Sequence, residues 1–326
     1  MRYPRCHHTA TFISNSTVLI AGGHYNGDAL KSTELYINSS ERWMIVGNMT
    51  DGRYDHTMSQ LTNGSILVVG GYNGRSELKS AELYDPLTRS WTRVNDMNVA
   101  RHGHATCVLN NGKVLVSGGL NSNGILNSCE IYDPKTGLWT NTGKMTNSRY
   151  AHTATKLANG RVLVVGGYEN DSLDTAELYD PARGTWTPTG SMNYARSEHI
   201  ILLLPNGFVL VIGGFNEKAL ASAELYNSTV GTWTAIENMT SARDQHTASL
   251  LTDNVVLVTG GRNYRDDALN SAELYDLSTR KWSMIGNMSR ERYGHTATVL
   301  PNGQVLLAGG CDRNNNALID AEIYNS

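Results

Sequence analysis

Phenylalanine, cysteine and proline are scarce in this chain, whose 326 residues include three Phe, four Cys and seven Pro. The aromatic side chains are mostly those of sixteen Tyr and six Trp, which carry a polar group and suit packing that ends near a surface. Four cysteines are too few for a disulfide-rich scaffold of this length. Because they show no Cys-x-x-Cys spacing, we expect free thiols rather than a zinc site or a set of disulfides.

An excess of charge of one sign is also missing, because 27 Lys and Arg stand against 30 Asp and Glu, a net charge of −3. We therefore expect no nucleic acid partner and no attraction to an anionic membrane. No apolar run approaches the ~20 residues that span a bilayer. The first residues, MRYPRCHHTA, lack the apolar segment of a signal peptide. The default expectation is a cytoplasmic location, and an extracellular one requires a longer native chain with a signal peptide.

The chain does contain a regular repeat, which an ordinary globular enzyme does not have. A period in this range is typical of a solenoid, a propeller or an array. The repeat is marked by a Gly-Gly pair that recurs in steps of 47 to 49 residues, at Gly22-Gly23, Gly70-Gly71, Gly118-Gly119, Gly166-Gly167, Gly213-Gly214, Gly260-Gly261 and Gly309-Gly310.

One repeat predicts four strands. After Arg149, two apolar runs flank Asn159-Gly160, which is a strong hairpin signal. A polar loop, the segment TAELYD, the turn at Asp180-Pro181 and the segment WTPTG follow, and the cycle restarts at Arg196. Each repeat therefore predicts a four-stranded antiparallel meander, with no helical periodicity.

A single sheet of this kind cannot bury both of its faces, but a radial arrangement lets each blade pack against its neighbours. The sequence thus predicts an all-β, seven-bladed propeller, with all six Trp residues packing between blades. We assign one domain, 1–326, with repeats at about 5–49, 53–97, 101–145, 149–192, 196–239, 243–288 and 292–326.

The succession Arg-x-x-His-Thr-Ala, Gly-Gly, Ala-Glu-Leu-Tyr, Trp and Met resembles the kelch motif, and the resemblance recurs seven times over the whole chain. It implies a propeller of the kelch and galactose-oxidase-like superfamily, in which a strand from the opposite terminus usually completes the last blade. Here Met1 to Arg5 aligns with the linker that opens every later repeat, and Ser326 comes just after the seventh Ala-Glu-x-Tyr. We expect either a native chain that extends further at its N-terminus or a last blade with three strands and incomplete closure.

Residues present in every repeat are expected to be structural, because a catalytic group is normally needed once. These are seven Arg (Arg5 to Arg292), seven His (His8 to His295) and seven Glu (Glu34 to Glu322). We expect Arg to pair with Glu, or His to bond to backbone at the blade ends. A ring of metal-binding His in the channel is disfavoured, because sevenfold spacing suits no ordinary coordination geometry.

Function is instead expected where the repeats differ, in the loop after Gly-Gly and the linker before each Arg, which lie on one face. Aromatic side chains there suit recognition, although they would also serve simply to cover the blade ends. The candidate partner-binding residues are Tyr3, His7, His24, Tyr54, Tyr72, His102, Tyr150, Tyr168, Glu198, Phe215, Arg262 and Tyr293.

A metal site is a weaker hypothesis. Cys6, His7, His24 and Cys311 belong to repeats one and seven, which become neighbours when the ring closes. No spacing motif supports a site there, and we expect no metal and no cofactor.

Three kinds of kelch-like protein have sequence features that this chain lacks. Galactose-oxidase-like copper enzymes need a Tyr-His dipeptide and a ligand from a further C-terminal domain, and specifier proteins need an E-x-x-x-D-x-x-x-H motif. Ubiquitin-ligase adaptors often place Arg two residues after the repeat Arg. That position holds no basic Arg or Lys here, but His7, Asp55, Gly103, Ala151, Glu198, Gln245 and Gly294.

We therefore expect a binding or scaffolding module that is not an enzyme, because the repeats differ from one another mainly in their loops. The expected partner is a protein or peptide, the chain is expected to be a monomer, and a carbohydrate is the alternative ligand. The competing hypothesis is a secreted galactose-oxidase-like or carbohydrate-binding propeller whose catalytic parts lie outside this segment. Fold alone does not decide between them.

Overall fold

The computed structural model describes residues 1–13, 17–251, 254–263, 265 and 267–325 of the chain. Within these ranges the chain forms a seven-bladed β-propeller with a four-stranded sheet in each of the first six blades and a three-stranded sheet in the last, which confirms the predicted fold. Blades one, three and five each carry a further two-stranded hairpin after the Gly-Gly pair. The same ranges contain no α-helix, and therefore no helix that is long and apolar enough to cross a membrane.

The first three blades contain sixteen strands. Blade one has β1 (Thr9–Ile13), β2 (Thr17–Ala21), β3 (His24–Tyr25), β4 (Asp28–Ala29), β5 (Thr33–Ile37) and β6 (Arg42–Ile45). Blade two has β7 (Thr57–Gln60), β8 (Ile66–Val69), β9 (Ala81–Asp85) and β10 (Ser90–Arg93). Blade three has β11 (Ala105–Val108), β12 (Val114–Ser117), β13 (Leu120–Asn121), β14 (Gly124–Ile125), β15 (Cys129–Asp133) and β16 (Leu138–Asn141).

The other four blades follow the same order. Blade four has β17 (Thr153–Lys156), β18 (Val162–Val165), β19 (Ala176–Asp180) and β20 (Thr185–Pro188). Blade five has β21 (Ile200–Leu203), β22 (Val209–Ile212), β23 (Phe215–Asn216), β24 (Lys218–Ala219), β25 (Ala223–Asn227) and β26 (Thr232–Ala235). Blade six has β27 (Thr247–Leu250), β28 (Val255–Thr259), β29 (Ala272–Asp276) and β30 (Lys281–Ile285), and blade seven has β31 (Thr296–Val299), β32 (Val305–Ala308) and β33 (Ala321–Tyr324).

Two tight turns set the order of strands in each blade. In blade two, Gly64 takes a positive φ of 86° and its N–H donates to the Leu61 carbonyl at 2.9 Å, which closes the Asn-Gly turn between β7 and β8. The Asp85 side chain accepts a hydrogen bond from the Leu87 N–H at 2.9 Å at the turn between β9 and β10. Both turns lie on the same face of the propeller, which we call the turn face.

The opposite face, which we call the loop face, carries the loop after each Gly-Gly pair and the linker into the next blade. This placement follows from the antiparallel order of the strands, because every second connection returns to the same side. The two variable loop sets that the sequence singled out therefore share one face.

Packing between blades involves both the Tyr of the third strand and the Trp of the fourth. Within a blade the two rings are cross-strand partners, as in the Tyr84–Trp91 pair, with ring centroids 5.2 Å apart. Between blades, Leu115 of blade three packs with Val162 and Tyr179 of blade four, and Trp186 lies against the same cluster. All six Trp side chains are partly buried, in agreement with the predicted packing between blades.

The ring closes between blades seven and one. Val18 and Ile20 of blade one pack with Leu306 and Ala308 of blade seven in a buried cluster. The last blade has three strands, as expected, but its inner strands are packed against blade one as the other blades are packed against each other.

Candidate functional site

The arginine and glutamate of each repeat fasten the blade to the linker that enters it. In blade two, Arg53 Nη2 lies 2.9 Å from Glu82 Oε1, and Arg53 Nη1 donates to the Gly70 carbonyl at 2.7 Å. Glu82 also accepts hydrogen bonds from the backbone N–H groups of Thr50 and Asp51, which precede the blade. The predicted pairing is confirmed in every blade: Arg5–Glu34, Arg53–Glu82, Arg101–Glu130, Arg149–Glu177, Arg196–Glu224, Arg243–Glu273 and Arg292–Glu322.

The Gly-Gly pair allows neighbouring blades to approach closely. At Gly22, where φ is +68°, an added Cβ would lie 2.5 Å from the Arg53 carbonyl oxygen and 2.6 Å from His56 Cε1 of the next blade. The N–H of Gly23 donates to the same Arg53 carbonyl at 2.8 Å. Close approach and positive φ therefore both require glycine at this pair.

The repeated histidines form a buried ring around the central channel, which we call the histidine ring. Thr9 Oγ1 of blade one, for example, is 2.7 Å from His56 Nε2 of blade two. Burial, followed by the charge of Arg53, lowers the pKa of His56 to about 3, so its imidazole is neutral at pH 7. Six members have a hydroxyl partner for Nε2, at His8–Thr296, His56–Thr9, His104–Thr57, His152–Ser117, His199–Thr153 and His295–Thr247.

His246 is the exception in this ring. Its side chain is 3% exposed, and neither of its ring nitrogens has a hydrogen-bond partner among the described residues. The cause lies in blade five, where Ile200 occupies the position at which blade four has Thr153. Burial and the charge of Arg243 hold the pKa of His246 well below its usual value, which leaves a neutral imidazole without a bond.

Just before each histidine, one residue per blade forms a second ring, which we call the mouth ring. Each of its backbone N–H groups donates to the carbonyl of the preceding blade's member, as from Gly103 to Asp55 at 3.1 Å and from Glu198 to Ala151 at 3.0 Å. The circle closes from His7 to Gly294 at 3.0 Å. All seven members have positive φ, and they are His7, Asp55, Gly103, Ala151, Glu198, Gln245 and Gly294.

Five of these members are not glycine, so the mouth ring holds backbone conformations that L residues adopt rarely. Their φ values lie between 48° and 52°. Such strain persists where the surrounding structure fixes it, and it is frequent at binding sites. The closed circle of hydrogen bonds supplies that constraint here.

Around the mouth ring, backbone bridges pair the residue after each Arg with the residue after each Gly-Gly. The pairs are Cys6–His24, Tyr54–Tyr72, His102–Leu120, Tyr150–Tyr168, Ser197–Phe215, Asp244–Arg262 and Tyr293–Cys311. These bridges bring the two loop sets of the loop face together in every blade.

Several of the paired side chains, together with His7 of the mouth ring, contact one another from blade to blade and form what we call the aromatic arc. Ring centroids are 6.2 Å apart for Tyr293 and His7, 5.4 Å for His7 and His24, and 5.0 Å for His24 and Tyr54. The series continues through Tyr72 to His102 at 5.6 and 5.7 Å. The arc thus covers one side of the channel mouth with the buried ring of Tyr293 and five partly buried rings.

Ion pairs flank the mouth on both sides. His7 Nδ1 lies 3.2 Å from Asp55 Oδ1. Burial by itself would lower the pKa of His7, but the hydrogen bond and charge of Asp55 raise it above its usual value. Burial by itself would raise the pKa of the Asp55 carboxyl, but the hydrogen bond and charge of His7 lower it below its usual value. On the other side, Arg262 Nε donates to Asp244 Oδ1 at 3.2 Å, and its guanidinium stacks on Tyr293 with its carbon 4.9 Å from the ring centre.

The mouth ring and the histidine ring enclose a cavity of about 410 Å³ on the propeller axis. Its upper wall contains His7, Asp55, Glu198 and Gln245, together with the ring of Tyr150. Its lower wall is the histidine ring. The volume is at the small end of the range of ligand pockets, roughly 300–1,000 Å³.

The predicted binding residues do not all occupy the same place. His7, His102, Tyr150 and Glu198 line the cavity itself. The others surround it through the backbone bridges of the loop face, at His24, Tyr54, Tyr72, Tyr168, Phe215, Arg262 and Tyr293. Tyr3 lies apart from both groups, in the linker before blade one, where its N–H donates to Glu34 and its side chain is 43% exposed.

The expectation of four free thiols is wrong for two of them. Cys6 and Cys311 form a disulfide that joins blades one and seven, whereas Cys107 and Cys129 are free and buried. The sulfur atoms and a ring nitrogen of His24 lie within 4.8 Å of one another. Because the disulfide occupies both sulfur atoms, this group leaves one available metal ligand rather than three.

Among the residues that the sequence analysis missed as site residues are Asp55, Gln245 and His246. Asp55 and Gln245 were identified only by their register position, because their role depends on the neighbours that the mouth ring gives them. His246 was grouped with the other repeated histidines. An alignment of the repeats would have found it, because Ile200 and Ala105 are the two residues at their register position that are not Thr or Ser. In the case of Ala105, Ser117 supplies the missing hydroxyl to His152.

Comparison with known proteins identifies the repeats. A family model described as the KLHDC2/KLHL20/DRC7 Kelch-repeats domain matches residues 2–167, and the Kelch motif model matches residues 151–193, 206–240 and 246–289. No curated protein matches the sequence.

Among solved structures, the chain is similar to one described as a "novel fungal alcohol oxidase with catalytic diversity among the AA5 family, in complex with copper". The TM-score is 0.82 at 17% identity, and the likeness covers 100% of this chain and 75% of the oxidase chain. At this level of identity the comparison shows a shared fold.

Proposed function

The chain belongs to the kelch-repeat family, and we propose that it is a non-catalytic protein-binding module that holds a protein or peptide partner on its loop face. The kelch propeller supports a protein-interaction module in general. The finer assignment, to this face and its cavity, depends on the geometry of the loops.

The proposal depends on the different positions of repeated and variable residues. The repeated Arg, Glu and Gly form ion pairs, hydrogen bonds and close contacts within and between blades. The residues that vary between repeats, by contrast, gather around one opening, where rigid aromatic rings offer contact area at little entropic cost. A surface of this kind suits recognition of a partner better than it suits chemistry.

The proposal predicts that the partner is lost when the aromatic side chains of the loop face are removed. We expect the triple variant Tyr54→Ala, Tyr150→Ala, Tyr168→Ala to recover at least about tenfold less partner from source tissue than the wild type, because buried aromatic anchors dominate interface energies. The measurement is an affinity pull-down with quantitative mass spectrometry.

The matched control changes the turn face instead. Leu87, at 93% exposure, lies in the turn between β9 and β10, and Val230 lies in the equivalent turn of blade five. The double variant Leu87→Ala, Val230→Ala should recover the same partners as the wild type. Equal recovery by the wild type and the triple Tyr variant would contradict the proposed binding face.

The competing copper-oxidase function is disfavoured because the sequence contains no Tyr-His dipeptide. Among the described residues, the one group of three His, Cys, Asp or Glu ligands is that of Cys6, His24 and Cys311, and its two sulfur atoms are bonded to each other. The release of hydrogen peroxide from galactose or another alcohol by copper-treated protein would overturn the proposal of a non-catalytic module.

A further inference from the structure

We propose that the cavity at the channel mouth binds a cationic side chain, an arginine or a lysine, of the partner segment. This inference rests on the proposed function and specifies which chemistry the partner must present. It depends on the charges of the mouth ring and on two polar groups that have no partner.

The mouth ring contains carboxylates and no Lys or Arg. Asp55 and Glu198 stand in blades two and five, on nearly opposite sides of the opening, and both line the cavity. A ligand on the axis therefore meets an acidic group from either side. An anionic ligand would be repelled by both groups, whereas a cation would be attracted by both.

The cations nearest the mouth already have partners. Arg262 is bonded to Asp244 and lies 3.8 Å from Glu198. His7 is paired with Asp55. Counting Asp55, Glu198 and Asp244 against Arg262 and a protonated His7, the mouth still has an excess of one negative charge.

Between blades five and six, two residues that line the cavity also carry buried hydrogen-bonding atoms without a partner among the described residues. Gln245 Nε2 donates to Glu198 Oε2 at 2.7 Å, which turns the amide oxygen Oε1 away from that bond. This oxygen is buried and has no partner among the described residues. An acceptor left in this state costs free energy, which a donor on a ligand would recover.

His246 lies beneath Gln245 on the same side of the cavity and is the second such group. Its neutral imidazole has one nitrogen that can accept a hydrogen bond, and six of the seven blades supply a hydroxyl where this blade supplies none. Glu198, Gln245 and His246 thus form an acceptor-rich wall. The guanidinium and ammonium groups carry several donors and no acceptor, which matches this wall.

The aromatic side chains complete the fit. The ring of Tyr150 lines the cavity and lies against Gly103, where an added Cβ would be 3.2 Å from Tyr150 Cδ2. Cations bind to the faces of such rings. The molecule already contains one example at its rim, where Arg262 lies over Tyr293 between two carboxylates. A partner's arginine would meet the same combination in the cavity.

The test uses the whole 326-residue chain on an array of peptides with random flanks and a central arginine, lysine, citrulline or norleucine. Citrulline has the shape of arginine without the charge. We expect the arginine and lysine peptides to bind at least about tenfold more strongly than the neutral ones, because a charged hydrogen bond is about twice as strong as a neutral one and the Coulomb attraction adds to it. This preference should weaken as salt is raised.

Variants locate the preference in the cavity. Glu198→Gln should abolish most of the preference for arginine over citrulline, and Gln245 shows that glutamine is accommodated at a mouth-ring position with φ of 48°. Asp55→Asn should have the same effect to a smaller degree. The control variant Leu87→Ala should keep the wild-type preference, and circular dichroism should show that all three variants are folded.

Equal binding of arginine and citrulline peptides, a preference for acidic or sugar ligands, or no binding by the folded wild type would overturn the inference. These outcomes are distinct from failure of the proposed function. If the triple Tyr variant loses its partners while citrulline serves as well as arginine, the binding face stands and the cationic ligand is wrong.

Discussion

At the scale of single residues, the histidine ring shows how a repeated titratable group is kept neutral. Each histidine lies against a glycine of the neighbouring blade, beside a buried arginine. Burial and the charge of Arg196 lower the pKa of His199 to about 3, as burial and Arg53 do for His56. A proton on any member of this ring would be a buried charge without a counter-ion.

The propeller should therefore lose stability when the pH falls below 6.5. The folded pKa of these histidines lies below the unfolded value of about 6.5, so the unfolded chain binds more protons between pH 6.5 and pH 3. Stability is fully present above pH 6.5 and declines through that window, by up to about 1.4 kcal/mol per pH unit for each histidine. Urea denaturation at pH 7.5, 6.5, 5.5 and 4.5 measures the slope.

The variant His199→Gln tests the assignment to the histidine ring. It removes one titrating group along with the bond to Thr153, so it should be less stable at pH 7.5 but show a pH dependence shallower by about one proton. A slope equal to that of the wild type would contradict a role for His199 in acid unfolding.

At the scale of elements, the Arg–Glu pairs connect strands to linkers. Glu224 lies on β25, bonds to Arg196 at 3.0 Å, and accepts the N–H groups of Asn193 and Tyr194 in the incoming linker. In blade seven, Glu322 pairs with Arg292 at the same distance, but its side chain is 23% exposed. The Glu side chain of this pair is therefore partly exposed to solvent in blade seven and almost fully buried in the other six blades.

This difference predicts unequal costs for the same substitution. Glu224→Gln should lower the free energy of unfolding by on the order of 3–5 kcal/mol, because it leaves the charge of Arg196 buried and unpaired. Glu322→Gln should cost roughly 1–2 kcal/mol, because water can replace part of the lost interaction. Chemical denaturation at pH 7.5 compares the two variants, and equal losses would show that exposure does not govern the strength of the pair.

The strands and turns were predictable from the sequence because their signals are local. Asn63-Gly64 requires a positive φ, the apolar run of β8 requires burial on both faces, and Tyr84 opposite Trp91 follows from the length of the turn between them. The mouth ring was not predictable in this way. Its conformation at Asp55 and Ala151 depends on hydrogen bonds between residues about 48 positions apart, and no local pattern marks it.

At the scale of the whole molecule, the seam between blades one and seven combines a packed core with a covalent bond. Cys6 and Cys311 are 305 residues apart in sequence, and their disulfide encloses almost the entire chain in one loop. The sequence did not reveal this bond, because Cys6 follows the repeat Arg whereas Cys311 follows the Gly-Gly pair. The two positions become neighbours only when the ring is closed.

Reduction should therefore weaken the fold. Dithiothreitol is expected to lower the stability of the wild type by on the order of 2–4 kcal/mol, because a disulfide restricts the unfolded chain. The double variant Cys6→Ser, Cys311→Ser should have the stability of the reduced protein and should not respond to dithiothreitol. Thermal unfolding with and without the reductant makes the comparison.

A count of thiols checks the same bond independently. The denatured, unreduced protein should react with two equivalents of a thiol reagent, at Cys107 and Cys129. Four equivalents would refute the disulfide. A bond of this kind also favours an oxidising compartment, in contrast to the default location expected from the N-terminal residues.

The closed hydrogen-bond circle of the mouth ring has an electrical consequence. Its seven N–H···O=C hydrogen bonds all run in the same rotational sense, so their dipoles follow the circumference and largely cancel along the axis. A helix terminus presents a fixed partial charge to its ligand, but this toroidal backbone presents almost none. The potential at the opening is therefore set by side chains, those of the mouth ring together with Asp244 and Arg262, and replacing Asp55 and Glu198 by lysine would reverse its sign.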